Sequence, residues 1–537
     1  MAAMSSGPEG DATRVKVAII GAGFGGLCMA IQLNRAGIGP VAIIEKHAQL
    51  GGTWRDNTYP GAGCDVPSHL YSFSFAPNPD WSRTYARQSE ILAYMEAVAD
   101  RFDIRRLIRF NTEVAEARFD DDRGLWRIDI VGGGHIDAEV VISATGQLDH
   151  PAVPDLPGQE SFAGPRFHSA RWPEGLDLAG KRVGVIGNGS SAVQFVPEIA
   201  ADAARLVLFQ RTPAWVSPKP DRAYTEAEIA RFRRSPMAMK LHRAKIFLGL
   251  EKNFLVFGRA RFAREQFQKQ ALAIMRRHIA DPDLRRRLTP DYPAGCKRIV
   301  LSNDWYPTLA RPNVEVVTRR VAALRPGGVE TVDGARHDLD VLIYATGFRA
   351  TEFLQPMKIT GRGGLDLNDA WSEGAEAHRG VAVSGFPNFF MLFGPNTSLG
   401  HNSIIFMHEV QATYITRCLK QLFQGRRGQV MEVKAQAMAA YNRGLRAALD
   451  RTVWAGSCNS WYKTADGRVT AQWSSFASRY WWAMRSASLD EYAFTTCDAP
   501  VRTLSQSQAL TTAAGASRHA GPAAGGGIAG PAPAERR

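Results

Sequence analysis

Two glycine-rich turns, each entered from an apolar strand and left through an apolar helix, limit what this 537-residue chain can fold into. The first joins residues 15–20 to the helical stretch 27–33 through Gly21-Ala22-Gly23-Phe24-Gly25-Gly26. The second joins residues 182–186 to 193–200 through Gly187-Asn188-Gly189-Ser190-Ser191-Ala192. In such a turn the first glycine bends the chain, the second lets a pyrophosphate approach the backbone, and the third lets helix and sheet touch. The helix N-terminus then points its partial positive charge at the phosphates. One such pattern is weak evidence. Two in one chain, each between a strand and a helix, predict two dinucleotide sites.

The expected fold is therefore α/β, with two Rossmann-like dinucleotide-binding domains and a helical insertion. The residue after each second strand separates the two ligands. Glu45 follows the strand 41–44, where a carboxylate can accept hydrogen bonds from a ribose diol, and the turn of Gly21, Gly23 and Gly26 is assigned to FAD. After the strand 206–209 comes Gln210-Arg211-Thr212, with a basic residue where an NAD site would carry an acid. Arg211 can pair with a 2′-phosphate and Thr212 can hydrogen-bond it, so NADPH is expected. Ala192 is a tolerated substitute for the third glycine. Further cofactor contacts are assigned to Phe24, Lys46, Gly52, Thr53, Trp54, Tyr71, Gly187, Gly189, Ser190, Ser191 and Gln194.

Between the turns the sequence is β-rich, with alternating strands at 113–119 and 126–131 and a turn signal at 132–134. The strand 140–143 runs into Ala144-Thr145-Gly146, and the strand 341–344 into Ala345-Thr346-Gly347. Small residues after a strand allow close backbone approach. Their repetition suggests that the chain crosses from the first domain into the second and back. The expected division is a flexible N-terminus (1–14), a first part of the FAD domain (15–147), and an NADP domain (148–348) containing a helical insertion (221–290). A second part of the FAD domain with a C-terminal cap (349–498) follows. The Ala-, Gly-, Pro- and Ser-rich segment 499–537 reads as a disordered tail.

Composition excludes several classes. The net charge of +13 comes from basic residues spread along the chain, so no nucleic-acid partner is expected and a phosphorylated cofactor absorbs part of the excess. No apolar run is long enough to span a bilayer, and the N-terminus lacks an apolar signal core. The six cysteines, at 28, 64, 296, 418, 458 and 497, form neither a CxxC pair nor a Cys/His cluster. They point to no metal site, no redox-active disulfide, and a reducing cytoplasmic setting.

Longer patterns narrow the chemistry. Phe162-Ala163-Gly164-Pro165-Arg166-Phe167-His168-Ser169-Ala170-Arg171-Trp172-Pro173 matches FxGxxxHxxxW(P/D) throughout. Gly51-Gly52-Thr53-Trp54, with Tyr59-Pro60-Gly61 and Asp65, matches (A/G)GxWxxxx(F/Y)P(G/M)xxxD. On these residues the chain resembles the type I Baeyer–Villiger monooxygenases from about residue 15 to residue 492. Residues 394–403 and 456–462 are similar to the branch containing 4-hydroxyacetophenone monooxygenase.

The resemblance implies an FAD- and NADPH-dependent enzyme that uses O2 to convert a small-molecule ketone to an ester or lactone, through a C4a-peroxyflavin and a Criegee intermediate. A bound peroxide must stay anionic to attack a carbonyl, which requires a fixed cation beside it. Arg298, in Cys296-Lys297-Arg298, matches the family arginine, and Asp65 matches the carboxylate that orients it. Lys297 is expected at the 2′-phosphate. Phe162, Gly164, His168 and Trp172 belong to the linker between the nucleotide domains, whose movement His168 would couple to cofactor binding. Trp461 matches a tryptophan on a loop over NADP. Asn402, after His401, opens an apolar helical stretch (403–410) whose N-terminus would face the flavin.

Two rivals remain at this level. A flavin monooxygenase acting on amines or sulfides would use the same fold, and sulfide oxidation overlaps with the ketone reaction; Arg298 together with Trp172 favours ketones. A non-catalytic flavin redox sensor predicts damaged turns, whereas both are intact. A disulfide reductase would need a CxxC pair.

Overall fold

A computed structural model describes residues 13–258, 261–425, 428–456, 458 and 460–497. The expected tail, and residues 1–12 of the expected flexible N-terminus, lie outside the described residues. Residues 13 and 14 already belong to the first strand.

The first nucleotide unit is built on β1 (Thr13–Ile20), which leads through the first glycine-rich turn into α1 (Phe24–Arg35) and β2 (Val41–Ile44). The sheet continues through β3 (Ile108–Arg109), β4 (Val114–Asp120), β5 (Leu125–Ile130) and β6 (His135–Ser143). Its order is β4-β5-β6-β1-β2-β3. β6, β1, β2 and β3 run parallel, while β4-β5-β6 is an antiparallel meander. Two short strands from far downstream complete it, Lys358–Thr360 beside β4 and Phe389–Met391 beside β6. The run 17–20 of β1 is buried on both faces, as a central parallel strand must be, and this is why it reads as continuously apolar. Gly26 lets α1 seat on it: a Cβ there would lie 1.9 Å from the carbonyl oxygen of Gly21.

The second unit is a five-stranded parallel sheet. It contains β7 (Arg166–His168), β8 (Arg182–Ile186), β9 (Arg205–Phe209), β10 (Val314–Val317) and β11 (Val341–Tyr344), in the order β10-β9-β8-β11-β7. β8 leads through the second glycine-rich turn into α2 (Ser190–Ile199). The linker fingerprint forms one flank of this sheet. Phe162 is buried, and Trp172 packs on Phe167 and Phe195. A Cβ on Gly164 would come within 2.0 Å of the carbonyl oxygen of Asp340.

The chain crosses between the units twice, and the crossings lie side by side. Ala152 N–H donates to Gly347 O at 2.8 Å, Arg349 N–H to His150 O at 3.0 Å, and Thr346 Oγ1 to Ala152 O at 2.6 Å. His168 ends β7 against this ribbon, with its ring edge-on to Phe348.

Between β9 and β10 come the helices of the insertion, chiefly α3 (Glu226–Arg234), α4 (Pro236–Glu251) and α5 (Arg261–His278). α3 starts at a reciprocal Thr225/Glu228 capping box, and α4 at Ser235 with Pro236 in its first turn. The insertion is shared between two cores. Tyr224, Phe232, Met239, Phe254 and Phe257 join the core of the first unit, while Met275, Ile279 and Leu288 join that of the second. Arg243 fastens the first half, donating to the carbonyls of His69, Leu70 and Ser72. Two further helices close the first unit, α6 (Ile404–Gln424), packed along α1, and α7 (Ala477–Arg485), packed on α6.

Candidate active site

Both glycine-rich turns open onto one cavity of about 1420 Å³. They share a conformation: Gly21 and Gly187 have φ of +104° and +107°, and each abuts the small residue that ends the partner strand, Ala144 or Ala345. The middle glycines face space. A Cβ at Gly189 would meet nothing within 4 Å, and one at Gly23 only Gly52 Cα at 4.0 Å. These are cradles that a side chain would fill, and they fit two dinucleotide pyrophosphates at the starts of α1 and α2.

At the first turn Glu45 is buried. It accepts Ala22 N–H at 2.9 Å and His47 N–H at 3.0 Å, and pairs with Arg55 at 3.1 Å. Lys46 is paired with Asp149 at 2.6 Å. His47, Asp56 and Asp149 converge within 4.8 Å, but Arg55 and Lys46 already neutralise the two carboxylates. Phe24, Gly52, Thr53, Trp54 and Tyr71 line the cavity, with Trp54 Nε1 donating to Tyr71 Oη at 3.1 Å.

Arg298 stands where the two units meet. Its Nη2 donates to Asp65 Oδ2 of the first unit at 3.1 Å, and its Nε to Ser190 Oγ of the second turn at 3.1 Å. Burial opposes the charge, but Asp65, with Tyr462 and Cys64 adding to it, holds the guanidinium pKa above its ordinary value. The cation is therefore permanent, and two of its nitrogens are tethered. Ser191 lines the cavity beside it. Gln194 lines the cavity as well. It binds across the junction, taking Tyr59 Oη–H at 3.0 Å and donating to Gly63 O at 2.9 Å.

Arg211, Thr212 and Lys297 line the same cavity, joined by Arg319 and Arg320. Burial, and next the nearby Arg211, pull Lys297 below its ordinary pKa. Mutual repulsion of this kind is what a bound phosphate dianion relieves. Trp461 lies at the rim, partly exposed, against Tyr462.

The scattered cysteines, read above as holding no CxxC pair and no redox-active disulfide, include one long-range pair. Cys296 and Cys458 form a disulfide, linking the Lys297-Arg298 segment to the loop that carries Trp461. They are 162 residues apart in sequence, so no local pattern announces the pair. Asn402 lines the cavity, and its amide is engaged by the protein. Its Nδ2 donates to Glu251 at 2.9 Å, and its Oδ1 accepts Ser403 N–H at 2.8 Å, so the amide holds the turn before α6. His168 Nδ1 accepts Ala170 N–H at 3.2 Å, and burial lowers its pKa, which suits a hinge residue better than a proton carrier.

Comparison with known proteins agrees with this geometry. Residues 18–246 match the family described as pyridine nucleotide-disulphide oxidoreductase. A Baeyer–Villiger monooxygenase of Pseudomonas aeruginosa is 45% identical over 497 residues, covering 92% of this chain and 94% of that one. The structure of OTEMO in complex with FAD and NADP superposes with a TM-score of 0.82 at 30% identity, covering 90% of this chain and all of that one. Cyclohexanone monooxygenase from Rhodococcus sp. Phi1, bound to NADP+, gives 0.80 at 30% identity with the same coverage. With near-complete overlap at these identities, and both nucleotide turns and the tethered arginine in place, the chain belongs to the type I Baeyer–Villiger monooxygenases.

Proposed function

We propose that the chain converts ketones to esters or lactones with FAD at the first turn, NADPH at the second and Arg298 as the residue that makes the insertion possible. The observation that carries this is the placement of Arg298: one guanidinium, bonded to Asp65 and Ser190, at the junction of both turns. FAD, when bound and reduced by NADPH, would activate O2, of which one atom enters the ester and the other leaves as water. The protein's part is electrostatic. Arg298 presents fixed positive charge and N–H donors to the oxyanion that develops on the ketone oxygen. Asp65 and Ser190 hold the guanidinium plane, so little reorganisation is needed as charge builds. Trp54 and Tyr71 on one side and Trp461 on the other narrow the solvent path into the cavity.

Arg211 and Lys297, with Thr212, are assigned to the 2′-phosphate, and Glu45 to the FAD ribose. An apolar group formed by Leu250, Val256, Phe257 and Phe267 lines the cavity and is assigned to the ketone's carbon skeleton. No described helix is long and apolar enough to cross a membrane, and dependence on NADPH favours a cytoplasmic setting.

The test is product analysis of the FAD-loaded protein with a ketone panel. With amines and sulfides run beside the ketones, ester or lactone from the ketones, with one NADPH consumed per product, is expected; amine or sulfide oxides with no ester from any ketone would refute the reading. Arg298→Ala should bind FAD and accept hydride but lose ester formation by about 10²–10³-fold, the usual cost of a lost oxyanion donor.

A further inference from the structure

Glu251 is a buried carboxylate, 7% exposed, that the reaction scheme above does not use. It ends α4, in the insertion, and gathers donors from two distant segments. Oε1 accepts Asn402 Nδ2 at 2.9 Å and Ala477 N–H at 3.0 Å. Oε2 accepts Ser478 N–H at 3.1 Å and Ser478 Oγ at 2.6 Å. His401 Nε2 lies 3.4 Å from Oε1 and has no other partner among the described residues.

One branch of this network is architectural. α7 begins after Phe476, which has no capping side chain, so Glu251 caps it from another element. The other branch goes to the site. His401 and Asn402 line the cavity immediately before α6, and Leu250, Asn253, Val256 and Phe257, on either side of Glu251 in sequence, line the wall next to them. A helix cap needs only the Ala477 and Ser478 bonds. The bond to Asn402, with His401 Nε2 3.4 Å from Oε1, fixes the spacing between the insertion and the floor of the cavity.

We propose that Glu251 is a positioning residue that registers the insertion-borne wall against the His401–Asn402 turn and so keeps the flavin cavity closed to water; this rests on the flavin reading above. Burial works against its charge, but the donors, with His401 and Ser478 leading, hold the carboxyl at about 2, so the register persists across the working pH range. Replacement by Gln keeps one oxygen, but whichever way the amide turns its N–H₂ meets donors, those of Ser478 at one end or those of Asn402 and Ala477 at the other, so the full set of bonds cannot be kept.

The test compares Glu251→Gln, Asn402→Ala and Ser478→Ala with the parent FAD-loaded enzyme. Ester per NADPH, the ketone KM, the thermal midpoint and iodide quenching of bound FAD fluorescence are measured. Glu251→Gln and Asn402→Ala should lower ester per NADPH about tenfold, raise KM and increase quenching severalfold. Ser478→Ala should lower the thermal midpoint while leaving coupling and quenching at parent values. Unchanged coupling and quenching in a folded Glu251→Gln overturns the proposal. So does a Ser478→Ala that matches Asn402→Ala in all readouts. If Glu251→Gln fails to hold FAD, the Asn402 and Ser478 variants decide by the same contrast. If the parent makes no ester, the ketone reading fails, while iodide quenching still settles the role of Glu251.

Discussion

A guanidinium held at two of its nitrogens is a different reagent from a free one. Arg298 is held this way, whereas Arg211 is exposed and, in the function proposed above, is left to meet the cofactor's phosphate. Arg211→Ala should therefore raise the KM for NADPH about 10–100-fold, the range of one charge-assisted bond. The KM for NADH should barely move, and steady-state kinetics with both nucleotides checks this. The sequence shows Arg211 openly because its place after a second strand has a meaning of its own. Arg298 and Asp65 are 233 residues apart, and only the long family patterns bring them together on paper. Ser190 could be read as a turn residue but not as a partner of Arg298. Glu251 was invisible: an acid at the end of a basic helix looks like surface, and its partners lie 151 and 226 residues away. Cys296 and Cys458 were hidden in the same way. Long-range pairs of side chains leave no local period to detect.

At the level of elements, hydrophobic pattern was a good guide where burial was complete. The strands β2, β8 and β11 have the bounds that their apolar runs predict, because the middle of a parallel strand covered on both faces is kept apolar, with Arg182 tolerated only at the half-buried start of β8. The pattern failed for α6, expected over 403–410 but continuing to Gln424. Its later turns bury Gln411 and Thr416, polar residues that disguise the inward face. The insertion reads correctly as helical, yet nothing in its composition shows that its two halves join different cores. The linker fingerprint, by contrast, has a steric cause that can be tested. Gly164→Ala forces a methyl within 2.0 Å of Asp340 O, and the backbone must shift. A loss of about 1–3 kcal/mol is expected. It should appear in thermal melts of the FAD-loaded protein, with weakened NADPH binding because the displaced segment flanks the second sheet.

The whole molecule carries an acid sensitivity set by its buried imidazoles. Burial holds His408 at about 4, and burial with the neighbouring His242 and Arg243 does the same for His69. An unfolded histidine takes up its proton near pH 6.5. Below that value the unfolded chain binds protons that the folded one refuses, so stability falls as pH drops from about 6.5 toward 4 and levels off below. Each of these histidines can contribute up to about 3 kcal/mol to that loss. Thermal midpoints measured from pH 7.5 to 5 should descend, and the descent should be shallower in His408→Leu. A last consequence concerns freedom of motion. The second nucleotide unit is moored to the first by two chain passages knotted to each other by Ala152–Gly347 and Arg349–His150 bonds. Two moorings set far apart would immobilise it, and a single one would let it wander. Laced together, they make a single seam, and the insertion, Gln194 and Arg298 add the other ties between the two units.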